Sequence, residues 1–240
     1  MLNGLDLFSG IGGMSIGLSR WVRPIAYCEI DPYCQAVLVS RISDGLLPNC
    51  PIWDNVKTLR GEDFRGSTDI IYGGFPCQDI SVAGNGKGLE GERSGLFFEI
   101  VRLAKEIKPR FIFLENVPAI TKRGGVQVIK EITEMGYDCR WCIISAASIG
   151  AIHFRERWFL LAHSNSESKH GLSIREKTEE SIFELSSEYE KWKPFPKNES
   201  SLLGMDDELY FRMDRTRALG NSVVPKQAKK AFKLLMGIKS

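Results

Sequence analysis

Three short stretches hold side chains whose types and spacing could do chemistry. In GGFPCQDIS, residues 73–81, Cys77 stands directly behind Pro76 at the end of the strand-like run 68–72. A proline holds the residue before it extended, so Pro76 would aim the thiol outward from the strand end. Ligand sites in open α/β sheets lie outside such carboxyl ends, and a thiol there offers nucleophilic attack if the site lowers its pKa from about 8.5. In FIFLENV, residues 111–117, Glu115 closes a wholly apolar run. Partial desolvation there would raise its pKa and favour the protonated acid; a surface carboxylate just past the strand is the plainer reading. In HFRER, residues 153–157, alternation puts His153, Arg155 and Arg157 on one strand face. Two arginines so placed suit phosphate, carboxylate or base edges, or simply a solvated sheet edge.

A fourth stretch, DLFSGIGG at 6–13, reads as a strand running into a glycine turn and then a helix. Glycines let backbone approach a ligand, and a helix start offers free N–H groups. About twenty residues on, Glu29 ends the next strand, where an acidic side chain can hold ribose hydroxyls. The spacing Gly10, Gly12, Gly13 is not the G-x-G-x-x-G of pyrophosphate binding, which speaks against NAD and FAD. Tight turns that only link strand to helix would look the same.

These residues need a scaffold, and the pattern supplies one. Strand-like runs at 4–8, 24–29, 68–72, 110–115, 140–145 and 157–162 alternate with helical patterns near 12–20, 32–43, 95–107 and 125–136. That alternation predicts a mainly parallel α/β sheet. The runs 140–145 and 157–162 have no helix between them and could pair as an antiparallel edge. Asp31 before Pro32 reads as an N-cap followed by proline at the first helical position. From 164 to 201 the chain is rich in Ser, Glu and Lys and cannot bury much core by itself. Pattern returns near Arg215, and 224–236 reads as a closing helix with a lysine face at Lys226, Lys229, Lys230 and Lys233.

The 240 residues, 43% hydrophobic and 26% charged, suit one large domain, or a large and a small one. A net charge of +2 is compatible with nucleic acid without demanding it. No apolar run approaches the roughly 20 residues that span a bilayer, and the first residues look like a strand rather than a signal peptide; a soluble, cytoplasmic protein with no membrane partner is expected. Of the 6 cysteines, Cys139 and Cys142 have CxxC spacing but no second pair completes a zinc site, so no metal is expected. Cys28, Cys34 and Cys50 read as small buried hydrophobes.

The order of the motifs says more than any one of them. Glycine loop, acidic strand end, Pro-Cys, Glu-Asn-Val, paired arginines and then GNSV at 220–223 resemble the cytosine-5 DNA methyltransferases of the compact bacterial or phage type, over 3–162 and 204–236. The resemblance implies an S-adenosylmethionine-dependent, Rossmann-like α/β mixed sheet with a small target-recognition insertion. The domains would be a catalytic and cofactor-binding unit at 1–163, a target-recognition region at 164–210, and a segment at 211–240 returning to the first. Cys77 matches the nucleophile, Glu115 the acid, and Arg155 and Arg157 the arginines that hold the base carbonyl and the loop carrying Cys77. His153 stands where the family has glutamine.

The same resemblance implies a pocket for S-adenosylmethionine, released as S-adenosylhomocysteine. Phe8 would lie against the adenine, Glu29 on the ribose, Asp54 near the adenine amine and Leu96 as an apolar wall. Gly10, Gly12, Gly13, Ile30 and Asn55 complete it with Asn221 and Ser222 from the chain end. Double-stranded DNA would meet Gln78, Ser81, Lys87 and Arg93 on a glycine-rich loop, with the target cytosine flipped out. The protein is expected as a monomer, acting separately from any cognate restriction endonuclease. Alternatives are an RNA-directed relative, which lacks support from a Cys-Phe-Thr signature, and a non-catalytic DNA-binding relative, against which the intact Cys77, Glu115, Arg155 and Arg157 speak. An NAD-dependent enzyme is more distant.

Overall fold

The sheet begins with LNGLDL, where Leu5 and Leu7 share one face of the first strand and Asp6 takes the other. The computed structural model describes residues 1–76, 95–151, 154–165, 218 and 222–238. Among these, seven strands form one sheet: β1 (Leu2–Leu7), β2 (Val22–Cys28), β3 (Ile52–Trp53), β4 (Ile70–Gly74), β5 (Phe111–Asn116), β6 (Tyr137–Ser145) and β7 (Glu156–Ser164). Their order is β3-β2-β1-β4-β5-β7-β6. Pairings from β3 to β5 are parallel, and those of β5 with β7 and β7 with β6 are antiparallel. The two helix-free strands therefore do pair antiparallel, but only β6 is the edge; β7 lies inside the sheet against β5.

Helices cover both faces, which is why the parallel strands are apolar on both sides. One face carries α3 (Gly95–Ile107) and α5 (Gly125–Glu134), preceded by a single turn, α4 (Ile120–Arg123). There Phe97, Ile100, Val128 and Ile132 meet Leu5, Leu7, Ile112, Leu114 and Leu160. The other face carries α1 (Gly13–Leu18) and α6 (Pro225–Met236), whose Met14, Leu18, Phe232 and Leu235 pack on Ile70, Tyr72, Phe113 and Phe159. On that side α2 (Pro32–Ser43) sets Leu38 against Tyr27. Its start is as expected: the Asp31 side chain accepts from the backbone N–H of Tyr33 at 2.9 Å.

After β3 the chain crosses back to lay β4 beside β1. This reversal opens a crevice at the carboxyl ends of β1 and β4, the usual ligand position in such sheets. The two-residue β3 has too little sequence to announce itself as a strand. Strand β6 starts at Tyr137, earlier than its apolar run, because Tyr137 and Cys139 pack on the first core. Cys139 and Cys142 lie three residues apart on that strand and face opposite cores. Their CxxC spacing therefore cannot converge on one ion. Among the described residues no group of three or more His, Cys, Asp or Glu side chains could hold a metal, and no helix is long and apolar enough to cross a membrane.

Candidate active site

A cavity of about 690 Å³ occupies the crevice, within the roughly 300–1,000 Å³ typical of small-molecule sites. Its first wall is the turn after β1. Phe8 adopts a left-handed φ of 54°, uncommon for a residue with a side chain, and this bends the chain over the strand end. The N–H of Gly10 donates to Glu29 Oε2 at 2.7 Å, and the N–H of Asp31 donates to Glu29 Oε1 at 2.8 Å. The Glu29 carboxylate is thus pinned by two backbone donors at the end of β2, with Ile30 exposed beside it. Asp54 and Asn55 follow β3 on the same wall, Leu96 comes from the first turn of α3, and Ser222 returns from the chain end.

Gly13 lines the cavity for a reason that concerns packing. A Cβ there would fall inside contact distance of the Val223 carbonyl oxygen, so only glycine lets the returning segment sit on α1. Gly12 does not line the cavity; it packs against Leu47 and Leu38.

The opposite wall is chemical. Glu115 ends β5, buried, next to Gly74 on β4. A side chain at 74 would collide with Glu115 Oε2, so that glycine makes the space for the carboxyl. The Nε of Arg157 stands 2.8 Å from Glu115 Oε1. Burial pushes the Glu115 carboxyl up to about 7, against the pull of Arg157 and then Arg155. Near neutrality this group exists in both protonation states, as a general acid or base should. Arg155 stands one residue before β7 rather than in it, and its Nη2 donates to the Ser222 carbonyl at 2.7 Å. Burial lowers its pKa from the usual arginine value.

Asn116 was no candidate, yet it works beside them. Its Nδ2 donates to the Phe75 carbonyl at 3.0 Å while its Oδ1 accepts from the N–H of Val117 at 2.8 Å. It ties the end of β5 to the chain entering Pro76, itself a cavity residue. Cys77, Gln78, Ser81, Lys87, Arg93, His153 and Asn221 lie outside the described residues.

Asp6 is the other residue that the sequence reading passed over. It is buried on β1, lines the cavity, and accepts from Ser15 Oγ at 2.5 Å, which in turn contacts the Tyr72 hydroxyl at 2.7 Å. Its Oδ1 has no hydrogen-bond partner among the described residues, and burial pushes its carboxyl up to about 8. The alternation of acid and leucines in LDL was the available signal.

A cavity with the pinned Glu29 carboxylate on one wall, apolar sides and a buried Asp6 oxygen without a partner among the described residues offers acceptors to a nucleoside's hydroxyls and amine. The chain's residues therefore fit the nucleoside part of S-adenosylmethionine.

The model of the C-5 cytosine-specific DNA methylase family matches residues 2–203. The chain belongs to this family. It is 35% identical over 231 residues to the type II methyltransferase M.CviJI of Paramecium bursaria Chlorella virus IL3A, covering 95% of this chain and 58% of that protein. It is 32% identical over 167 residues to M.HhaI of Haemophilus parahaemolyticus, covering 67% of this chain and 49% of that protein. This DNA methylase family member thus spans about half the length of the curated relatives it matches. The S. pombe Dnmt2 methyltransferase has the same fold, with a TM-score of 0.57 and 22% identity over 77% of this chain and 54% of that one. The seven-stranded mixed sheet is the Rossmann-like methyltransferase fold.

Proposed function

We propose that this chain transfers a methyl group from S-adenosylmethionine to carbon 5 of a cytosine flipped out of duplex DNA. The observation that carries the reading is the buried Glu115–Arg157 pair, which shares one cavity with the pinned Glu29 and lies beside Pro76, the residue before Cys77. Glu29 would take the ribose hydroxyls, with Phe8, Asp54, Asn55, Leu96 and Ser222 around the adenosine. The bound cofactor supplies an electrophilic methyl group.

Carbon 5 of cytosine is a poor nucleophile until the ring is activated. The thiolate of Cys77 adds to carbon 6, while Glu115 gives a proton at ring N3, so that carbon 5 becomes enamine-like. After the methyl group has moved to carbon 5, the proton of that carbon passes to solvent, N3 returns its proton to the Glu115 carboxylate, and the re-forming C5–C6 double bond expels the Cys77 thiolate. Arg157 holds Glu115 and presents its guanidinium to the base carbonyl; Asn116 holds the Phe75 carbonyl and with it the chain entering Pro76. A base inside the duplex cannot meet these groups, which is why it must be extruded. Gln78, Ser81, Lys87 and Arg93 would contact the DNA, and residues 164–210 would choose the site. The activity needs no restriction endonuclease.

The test is methyl transfer to cytosine-rich duplex by wild type and Cys77→Ser, with bisulfite sequencing to locate the product. Cys77→Ser should bind S-adenosylmethionine like wild type and lose far more than about tenfold in rate. More than a tenth of the activity remaining would rule out the covalent route; transfer to RNA alone would move the substrate.

A further inference from the structure

Gln227 sits on α6 in a sequence, KQAKKAF, that reads as a lysine-rich surface helix. It is nevertheless completely buried. Its Nε2 donates to two backbone carbonyls, Ile144 at 2.8 Å and Arg155 at 2.7 Å. Two acceptors around one atom settle which end of the amide is the nitrogen. Its Oε1 has no partner among the described residues. A buried acceptor without a partner costs stability, and the residues around it on the buried face (Ala228, Ala231, Phe232) pack apolarly. An apolar side chain would serve the core better, so the amide is there for its two donated bonds.

Those bonds go to one place. Ile144 is near the end of β6 and Arg155 just ahead of β7, so the amide closes the mouth of the hairpin that presents Arg155. Arg155 lies before the β7 ladder, where its carbonyl also accepts from the N–H of Ala146 at 3.3 Å. Its guanidinium is held by the same segment, through the Ser222 carbonyl. One helical turn past Gln227, Lys230 Nζ donates to the Ser148 carbonyl at 2.9 Å, gripping the hairpin loop as well. Ser222 and Val223 also wall the cavity.

We propose that Gln227 is a positioning residue for Arg155, fixing its backbone while Ser222 fixes its side chain, so that the returning segment sets the arginine's place in the site. This rests on the cytosine methyltransferase reading only for its effect on rate; the placement of Arg155 stands apart from it.

Both levels are tested with Gln227→Met, which keeps the volume and removes the donors, and Gln227→Asn, which keeps the amide but shortens its reach. Labelling the free protein with an arginine-selective dicarbonyl, read by mass spectrometry, reports the arginine directly. Arg155 should label at least about threefold faster in Gln227→Met, with Gln227→Asn between, while Arg123 on α4, across the sheet from α6, keeps its wild-type rate. In single-turnover methyl transfer, Gln227→Met should lose roughly tenfold to a hundredfold, the scale of a misplaced site residue. The dissociation constant for S-adenosylmethionine should stay within about threefold. In an Arg155→Lys background the same substitution should cost less than about twofold more, since residues acting as a unit are not additive. Unchanged Arg155 labelling in both variants overturns the proposal, as does a rate loss that persists in full in the Arg155→Lys background. If Gln227→Met does not fold, Gln227→Asn carries the same comparisons. A wild-type protein that never methylates cytosine removes the proposed function, yet the labelling still decides the placement.

Discussion

Glu115 titrates near neutrality because burial and the two arginines pull in opposite directions, and burial wins. That balance makes the pH dependence of the reaction a test of geometry. A proton donor delivers only in its protonated form, so rate should fall as pH rises through about 7. Arg157→Leu removes the larger opposing charge, so the Glu115 pKa must rise further. The falling limb should therefore move to higher pH, while the maximal rate drops by roughly a hundredfold, as when one transition-state donor is lost. A limb that stays in place or moves to lower pH would detach Glu115 from the proton transfer. Glu29 is tested by binding alone. Glu29→Ala should weaken S-adenosylmethionine by about 1.5–3 kcal/mol, the worth of a hydrogen bond to a charged group. DNA affinity measured without cofactor should hardly change, and calorimetry reads both. At this scale the sequence marked Glu115, Glu29 and Arg157 as candidates, because acids and arginines at the ends of apolar runs stand out. It hid Asn116, Asp6 and Gln227, whose neighbours are supplied by distant strands and helices.

Strands and helices were legible wherever hydrophobic period and length agreed. The runs behind β1, β2, β4 and β5 differ from the observed strands by only a few residues, since a covered parallel sheet needs apolar side chains on both faces. The expected helix at 125–136 is there as α5, with the separate turn α4 before it. Arg155 departs from the expected strand face because β7 begins only at Glu156, leaving Arg157 alone in the strand. The seam of α1 with α6 was invisible, since nothing in GIGG says that a carbonyl from residue 223 will rest on it. That seam is directly testable. Gly13→Ala would drive its methyl group into the Val223 carbonyl and should cost about 1–3 kcal/mol, the usual penalty for overpacking. Cofactor affinity should fall with stability, because Val223 and Ser222 are cavity wall. Denaturant melts and calorimetry on one sample check both; a loss of stability with affinity intact would separate the seam from the pocket.

For the molecule as a whole, the catalytic layers and the choice of DNA sequence should be separable. The segment 164–210 breaks the α/β alternation, and its Lys169, Arg175, Lys177, Lys191, Lys193 and Lys197 can neutralise phosphates, with interleaved Glu residues limiting non-specific attraction. Exchanging it for the corresponding segment of a relative should redirect the methylated site and leave S-adenosylmethionine affinity unchanged. An active chimera that marks the original site would place specificity in the loop at 82–93. The docking of α6 on α1 bears equally on how the protein comes into being. Residues 13–18 leave the ribosome well before 225–236, and joining them closes a loop of roughly 200 residues. Closure entropy grows only with the logarithm of length, so the finished contact is affordable; the wait for it is not avoidable. At about 5–20 residues per second, the pocket waits roughly 10–40 s between the emergence of α1 and that of the segment that walls it. A nonsense codon between residues 165 and 218 should therefore leave all seven described strands and a cavity without the wall that Ala218, Ser222 and Val223 supply.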